Sequence, residues 1–395
     1  MMKILVTGAG AVSAIGTTVR ENLESLRNGM HGIGPVMHFH TALRYPAGEV
    51  KMDNASLKAA LGIAMDRTVS RTALLGLMAA AEAMRDSGAD TSGPRTGFIS
   101  ATSAGGMDLT EDFYPDFMQD SRHGRLRDVV MHDCGASTEF IAKALGIRGF
   151  VTTVSTACSS AGNAIMLGAR LIRHGLLDTV IAGGTDALCR FTLNGFNSLM
   201  ILDREHCRPM DATRNGLNLG EGAGYIVLQS EKAARKAPYC ELTGFSNVNE
   251  AFHQTGSSPE GDGAFMSMSE ALAQAGISPG EVSYINVHGT GTQQNDLSES
   301  MAIRRLFGDK VPMFSSVKPF IGHTLGASEG IEAVYSVMSV AEGTVYPNLN
   351  FSSPIPESGL VPVLSWQTGL KIDNVVSNSF GFGGNNSTLV FSRCR

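Results

Sequence analysis

The sequence predicts an α/β fold of mostly parallel sheets covered by helices, built from two similar halves that meet near residue 240. Three observations carry this. Apolar, β-branched runs alternate with segments of helical spacing along most of the chain. The order of these segments in the second half resembles that in the first. The 395 residues are 43% hydrophobic and 17% charged, against about 25% charge in an average soluble domain. Much of the chain is therefore expected to be buried, in its own core or in a subunit interface. Nothing between residues 230 and 245 is rich in Pro or Ser, so residues 1–240 and 241–395 are expected to be two halves of one body.

Taken in order, Ile4–Thr7 is a buried strand that breaks at Gly8-Ala9-Gly10, and Ser70–Ser87 is a helix with Gly88 as its stop. Arg95–Ala101 is a short strand, and residues 105–140 show no sustained period. Phe150–Val154 reads as a buried strand running into Thr156-Ala157-Cys158-Ser159-Ser160, with a long apolar helix over Ala161–His174. Leu177–Ala182 and Gly224–Leu228 are strands. The second half gives strands at Cys240–Phe245, Val282–Val287, Val311–Ser315, Val375–Ser379 and Ser387–Phe391. Its helices fall at Ala264–Ala275, Leu297–Phe307 and Ala327–Ala341.

Composition excludes several functions. A net charge of −6 and a pI near 5.9 leave no cationic excess for generic nucleic-acid binding. High hydrophobicity with low charge excludes disorder as the main state. No apolar run reaches the ~18 residues of a membrane span, and Met1–Gly8 is too short in apolar length for a signal peptide. The six cysteines form no C-x-x-C pair, and a cytoplasmic, reducing setting is expected.

Four places could carry chemistry. Cys158 sits where a strand meets a helix, so the helix N-terminus is expected to lower its pKa and make a nucleophilic thiolate. The turn would also aim its backbone N–H at an acyl oxygen; the alternative is a buried structural cysteine. His288, in Val287-His288-Gly289-Thr290-Gly291-Thr292, and His323, in Gly322-His323-Thr324, are flanked by glycine, which lets a ligand approach. Structural histidines are the plain alternative. No pair among these residues has the local spacing of a zinc site, and no metal is expected. Asn378-Ser379-Phe380-Gly381-Phe382-Gly383-Gly384 reads either as a hairpin or as a gated loop whose N–H reaches an oxyanion. Gly8-Ala9-Gly10 fails the G-x-G-x-x-G dinucleotide pattern, because Ser13 stands at its last position.

Together these motifs closely resemble β-ketoacyl-acyl-carrier-protein synthases of the KAS I/II type, over nearly the whole chain. Thr156–Ser160 matches the nucleophile motif, Val287–Thr292 the first histidine motif, Lys318–His323 with Gly326 the second, Asn378–Gly384 the phenylalanine gate, and Gly220–Gly224 a glycine turn. The resemblance implies the thiolase fold: duplicated βαβαβαββ halves in a five-layered αβαβα body, forming a dimer. It implies that Cys158 takes the acyl group and that the N–H groups of Cys158 and Phe382 hold the oxyanion, beside Phe380 in the gate. His288 and His323 would then serve malonyl decarboxylation. Lys318, held by Glu332, would organise the histidine loop, with Asp296 and Glu299 as acidic companions of His288. No bound cofactor is implied; substrates would ride on the phosphopantetheine of acyl carrier protein. Arg208 matches a carrier-contacting position, with Arg67, Arg71, Arg125 and Arg127 as further carrier-binding candidates.

Two histidines disfavour thiolase or KAS III chemistry, and Cys158 argues against a chain-length factor, the related subunit that lacks the nucleophile. The chain departs from the pattern at Asn385-Asn386, where threonine commonly follows the gate glycines, and at Gly291, where serine is common. Residues 105–130, with Met107 and Thr110, would line the acyl pocket and dimer contact. Chain length, primer, pathway (fatty-acid or polyene/polyketide-like) and homo- or heterodimer state stay open. The rival readings are a partner subunit of a heterodimeric synthase, a non-decarboxylating acyltransferase and, on Gly8-Ala9-Gly10 alone, a nucleotide-dependent oxidoreductase.

Overall fold

The computed structural model describes residues 2–394. In the first repeat, β1 (Ile4–Val12) leads to α1 (Val19–Arg27), a small ribbon of β2 (Ile33–Gly34) and β3 (Ala47–Gly48), and α2 (Asn54–Ala60). Next come α3 (Arg71–Ser87), β4 (Thr96–Ala101), α4 (Met107–Gln119), α5 (Cys134–Ala144) and β5 (Phe150–Val154). The repeat closes with α6 (Ser160–Arg173), β6 (Thr179–Asp186), α7 (Arg190–Ser198) and β7 (Gly222–Ser230). The second repeat runs β8 (Cys240–Asn249), α8 (Asp262–Ala275), β9 (Tyr284–Asn286), α9 (Gln293–Phe307) and β10 (Met313–Ser315). It ends with α10 (Lys318–Ile321), α11 (Ser328–Glu342), β11 (Asn374–Gly381) and β12 (Asn385–Ser392).

The duplication is explicit in the topology. From its outer edge inward, the first half is ordered β5-β4-β6-β7-β1 and the second β10-β9-β11-β12-β8. In each half the first three of these strands are parallel, and the fourth is antiparallel to both its neighbours. The halves join where Leu5 and Val6 of β1 pair with Glu241 and Cys240 of β8. Helix α3 covers β1, β7 and β6 on one outer face, and α8 covers β8 and β12 on the other. Between them lie α6, packed on β6 and β4 and reaching β8 and β12, and α11, packed on β7, β6 and β11. The result is five layers, with α6 and α11 in the middle. Hence α11 has no exposed stripe: every residue from Ser328 to Val340 is buried, its serines and glutamates included.

The ten-stranded sheet is mixed rather than mostly parallel, with four parallel and five antiparallel pairings, and three segments also differ from the sequence reading. β1 continues through Gly8 and Gly10 to Val12, with an irregular register between Val6 and Gly8. A Cβ at either glycine would overlap the backbone of α3, so these glycines admit a helix rather than a dinucleotide. The stretch 105–140 contains α4 and the start of α5; α4 buries no residue and carries Pro115 inside it, and an internal proline argues against a helix. β5 is the sheet edge, with Phe150 39% and Val151 36% exposed, rather than a buried strand. Among the described residues no helix is long and apolar enough to cross a membrane.

Candidate active site

The nucleophile turn joins β5 to α6 through Ala157, whose φ of 55° is left-handed and disfavoured for a residue with a Cβ. The surroundings hold it there. The Ser160 hydroxyl accepts from the Thr156 N–H at 2.8 Å and donates to the Ala157 carbonyl at 2.5 Å. The Ser159 hydroxyl lies 2.7 Å from the Thr156 carbonyl and 2.6 Å from Asn385 Oδ1. Asn163 and Asn247 donate to the same Asn385 oxygen at 2.8 and 2.7 Å. Asn385, a departure from the gate-loop pattern, is thus the anchor behind the turn.

The structure brings Cys158, His288 and His323 together: one ligand atom from each lies within 4.8 Å of the others. The imidazole rings meet edge to face with centroids 5.4 Å apart. Cys158 is only 7% exposed, and here the sequence expectation is reversed. Burial pushes the thiol up to about 11, outweighing the lowering by Lys318 and by the backbone N–H groups of Phe382 and Cys158. The helix N-terminus therefore does not produce a resting thiolate. Those two N–H groups nevertheless both act on the sulfur.

Both rings are buried and neutral. Burial, then Lys318 and His323, drives the His288 pKa well down; burial, then Lys318, lowers that of His323 to about 3. Their tautomers follow from their partners. Lys318 Nζ lies 3.3 Å from His288 Nδ1, and the Leu325 N–H donates to His323 Nδ1 at 3.0 Å. An Nδ1 that accepts leaves the proton on Nε2. The site thus offers two Nε2–H donors. Three residues this close could ligate a metal, but these tautomers leave the Nε2 atoms no lone pair for one.

The loops beneath are fixed by buried titratable side chains. Lys318 Nζ donates to the His288 carbonyl and to Glu332 Oε1, both at 2.5 Å, with both charged side chains 1% exposed. Burial raises Glu332 to about 7 against the lowering effect of Lys318. Glu299 accepts from the N–H groups of His288 and Gly289 at 2.9 Å and from Asn378 at 3.1 Å; burial raises it to about 7. Asp296 accepts from the N–H groups of Met210 at 2.8 Å and Thr290 at 2.9 Å, and from Gly291; burial raises it too.

A cavity of about 420 Å³ opens onto this cluster, lined by Cys158, both histidines, Phe196, Phe380 and Phe382 among others. Phe382 stacks on Phe196 at 6.0 Å and Phe380 meets the His288 ring at 5.9 Å. Leu199, Met200, His253 and Thr255 also line the cavity, whereas Met107 and Thr110 do not; Thr110 instead pairs with His132.

The candidate carrier-binding arginines scatter. Arg71 is 4% exposed and clamped to Glu221 at 2.6 Å, so it braces the interior and cannot meet a docked protein. Arg208 lies within 3.7 Å of Asp203 and 3.5 Å of Glu205. Arg125 pairs with Asp128, Arg67 stacks on Phe140, and Arg67, Arg125 and Arg127 are exposed. Sequence reasoning missed Asn385, Asn163, Asn247 and Phe196; only the unusual Asn385-Asn386 pair had stood out.

Residues 1–234 match the family model of the β-ketoacyl synthase N-terminal domain, and residues 239–352 that of its C-terminal domain. A curated 3-oxoacyl-[acyl-carrier-protein] synthase 2 of Staphylococcus aureus (strain MRSA252) is 33% identical over 410 residues, covering 99% of this chain and 98% of the relative. Its namesake from Synechocystis sp. is 34% identical over 411 residues, with coverage of 99% and 98%. Among solved structures, the ishigamide ketosynthase/chain length factor has a TM-score of 0.93 at 29% identity, with 100% of each chain covered. The ketosynthase ApeO in complex with its chain length factor ApeC from Xenorhabdus doucetiae has a TM-score of 0.86 at 31% identity, covering 100% of this chain and 98% of that one.

Proposed function

The chain belongs to the β-ketoacyl synthase family, and from that premise we propose that it condenses a Cys158-bound acyl group with a malonyl thioester, releasing CO₂. It is a ketosynthase-type acyltransferase; the residue roles, substrates and partners below are our reading. The observation that carries it is the convergence of the Cys158, His288 and His323 ligand atoms within 4.8 Å, with both imidazoles presenting Nε2–H.

An acyl thioester on the phosphopantetheine arm of a carrier protein enters past Phe382. The Cys158 sulfur attacks the carbonyl carbon, and the N–H groups of Cys158 and Phe382 hold the oxyanion. The carrier thiolate leaves and takes the proton that Cys158 gives up. A malonyl thioester follows, and the two Nε2–H groups donate to its thioester oxygen. Loss of CO₂ leaves an enolate whose charge those donors stabilise. Its carbon attacks the Cys158 thioester, giving a 3-oxoacyl carrier thioester, and the expelled Cys158 thiolate is reprotonated from water. Lys318, Glu332, Asp296 and Glu299 hold the histidine loops. A ketosynthase in complex with its acyl-carrier protein is among the similar structures, at 26% identity, which supports a carrier as partner. The open β5 edge beside Cys158, with exposed Tyr114, Phe117 and Met118 on α4, supports dimerisation with a second copy or a related subunit.

The test supplies acyl- and malonyl-carrier thioesters together. Malonyl-dependent CO₂ release with a product two carbons longer is the expected result, and Cys158→Ala should abolish the longer product. Acyl transfer without CO₂ release would favour the non-decarboxylating acyltransferase.

A further inference from the structure

Glu329 lies in the first turn of α11, is fully buried, and takes no part in the mechanism above. It occupies the middle layer between the nucleophile helix and the gate hairpin. On one side its carboxyl abuts Gly162, whose backbone N–H acts on it; a Cβ at Gly162 would overlap that carboxyl. On the other side it contacts the Ser387 hydroxyl of β12. Ser387 Oγ also lies 3.0 Å from the Ser379 carbonyl, and the Ser379 hydroxyl donates to the Cys158 carbonyl at 2.9 Å. A path of short contacts therefore runs from Glu329 through Ser387 and Ser379 to the backbone of Cys158.

Counting hydrogens assigns the directions. Ser387 has one hydroxyl hydrogen and two oxygens in reach, and the Ser379 carbonyl can only accept. Unless that one hydrogen is split between two acceptors, both contacts are hydrogen bonds only when Glu329 supplies the second hydrogen. The other carboxyl oxygen, Oε1, is buried with no hydrogen-bond partner, which suits a neutral acid and would be costly for a carboxylate. The charged groups acting on Glu329 are Glu332, one turn along the same helix, and Lys318 of α10, and they oppose each other. Burial also favours the neutral form.

We infer that Glu329 is a protonated carboxylic acid that donates to Ser387 and so positions Cys158, locking the nucleophile turn and gate hairpin to the helix that carries Glu332. Its partner Glu332 acts through Lys318 on the histidine side, so one helix registers both halves of the site. Glu329 is a positioning residue; it does not touch the reacting atoms. The kinetic part of this inference rests on the reading of Cys158 as nucleophile; the protonation state does not.

Two measurements test it. Difference infrared spectra of wild type against Glu329→Gln at neutral pH should contain the carbonyl stretch of a protonated carboxylic acid. A carboxylate band in its place overturns the assignment, whether or not the protein turns out to be a ketosynthase. In the second, acylation of Cys158 by an acyl-carrier thioester is followed in Glu329→Gln, whose amide both donates and accepts, and in Glu329→Ala. The glutamine variant should stay close to wild type. The alanine variant should lose about tenfold in kcat, the scale of one buried hydrogen bond, with KM unchanged. Ser387→Ala serves as the second break in the same path if Glu329→Ala does not fold, and should fall equally. Folded variants with unchanged kcat, or a glutamine variant as slow as alanine, contradict the positioning role.

Discussion

Replacing Lys318 by methionine separates two jobs that one side chain performs. Lys318 neutralises the buried Glu332, and its 3.3 Å approach to His288 Nδ1 fixes which nitrogen of that ring carries the proton. Both charges are 1% exposed, so removing one partner leaves the other buried and unpaired, at a cost of about 3–5 kcal/mol of stability. The same change lets His288 place its proton on Nδ1 and lose its Nε2–H toward the cavity. Loss of one preorganised donor costs about 10²–10³ in rate. The double variant Lys318→Met/Glu332→Leu removes the stranded charge, and replacing a buried pair by apolar side chains is often close to neutral. It should recover the larger part of the stability in urea titrations, while malonyl decarboxylation stays at the level of the single variant. Recovery of decarboxylation together with stability would refute the tautomer argument, as would a single variant that decarboxylates at the wild-type rate.

Three further outcomes are expected. Asn385→Ala strands donors from Ser159, Asn163 and Asn247; it should cost about 1–3 kcal/mol per buried donor left unpaired and slow Cys158 acylation, read by urea titration and by adduct formation. Glu299 is raised from 4.5 to about 7 in the folded protein, so the folded state holds a proton there that the unfolded chain has released. Its contribution is full below pH 4.5 and is lost as pH rises through 7, a fall on the order of 3 kcal/mol at 1.36 kcal/mol per pH unit; Glu299→Gln should flatten that part of the stability profile. With its thiol pushed up to about 11, Cys158 should be alkylated by iodoacetamide slowly at neutral pH and faster toward alkaline pH, with no plateau near 7. A plateau there would mean that the helix N-terminus outweighs burial.

What could be read from the sequence was local in the chain. The strand-to-helix turn at Cys158, the strand end before His288 and the glycines around His323 each announce themselves within a few residues. The alternation of strands and helices showed the duplicated α/β plan. What could not be read depends on residues far apart. Asn385 meets Asn163 across 222 positions, and Arg71 meets Glu221 across 150. A charged residue looks like surface until its partner is known, although the apolar run after Arg71 was a hint of burial. The sign of the Cys158 shift was missed because the helix N-terminus is visible in sequence and the depth of burial is not. Helix α4 escaped because Pro115 stands inside it, although Phe113, Tyr114, Phe117 and Met118 recur at helical spacing. Gly8 and Gly10 could serve a ligand or a packed helix equally well until α3 was seen against them.

The central claim is that Cys158 carries the acyl group, and the most direct test is the intact mass of the folded protein after incubation with a series of acyl-carrier thioesters. The account predicts an adduct of one acyl group that disappears in Cys158→Ala, and its length preference would identify the substrate class. Folded protein that gains no mass at any chain length, or gains it equally in the alanine variant, would contradict the account and favour a partner-subunit role.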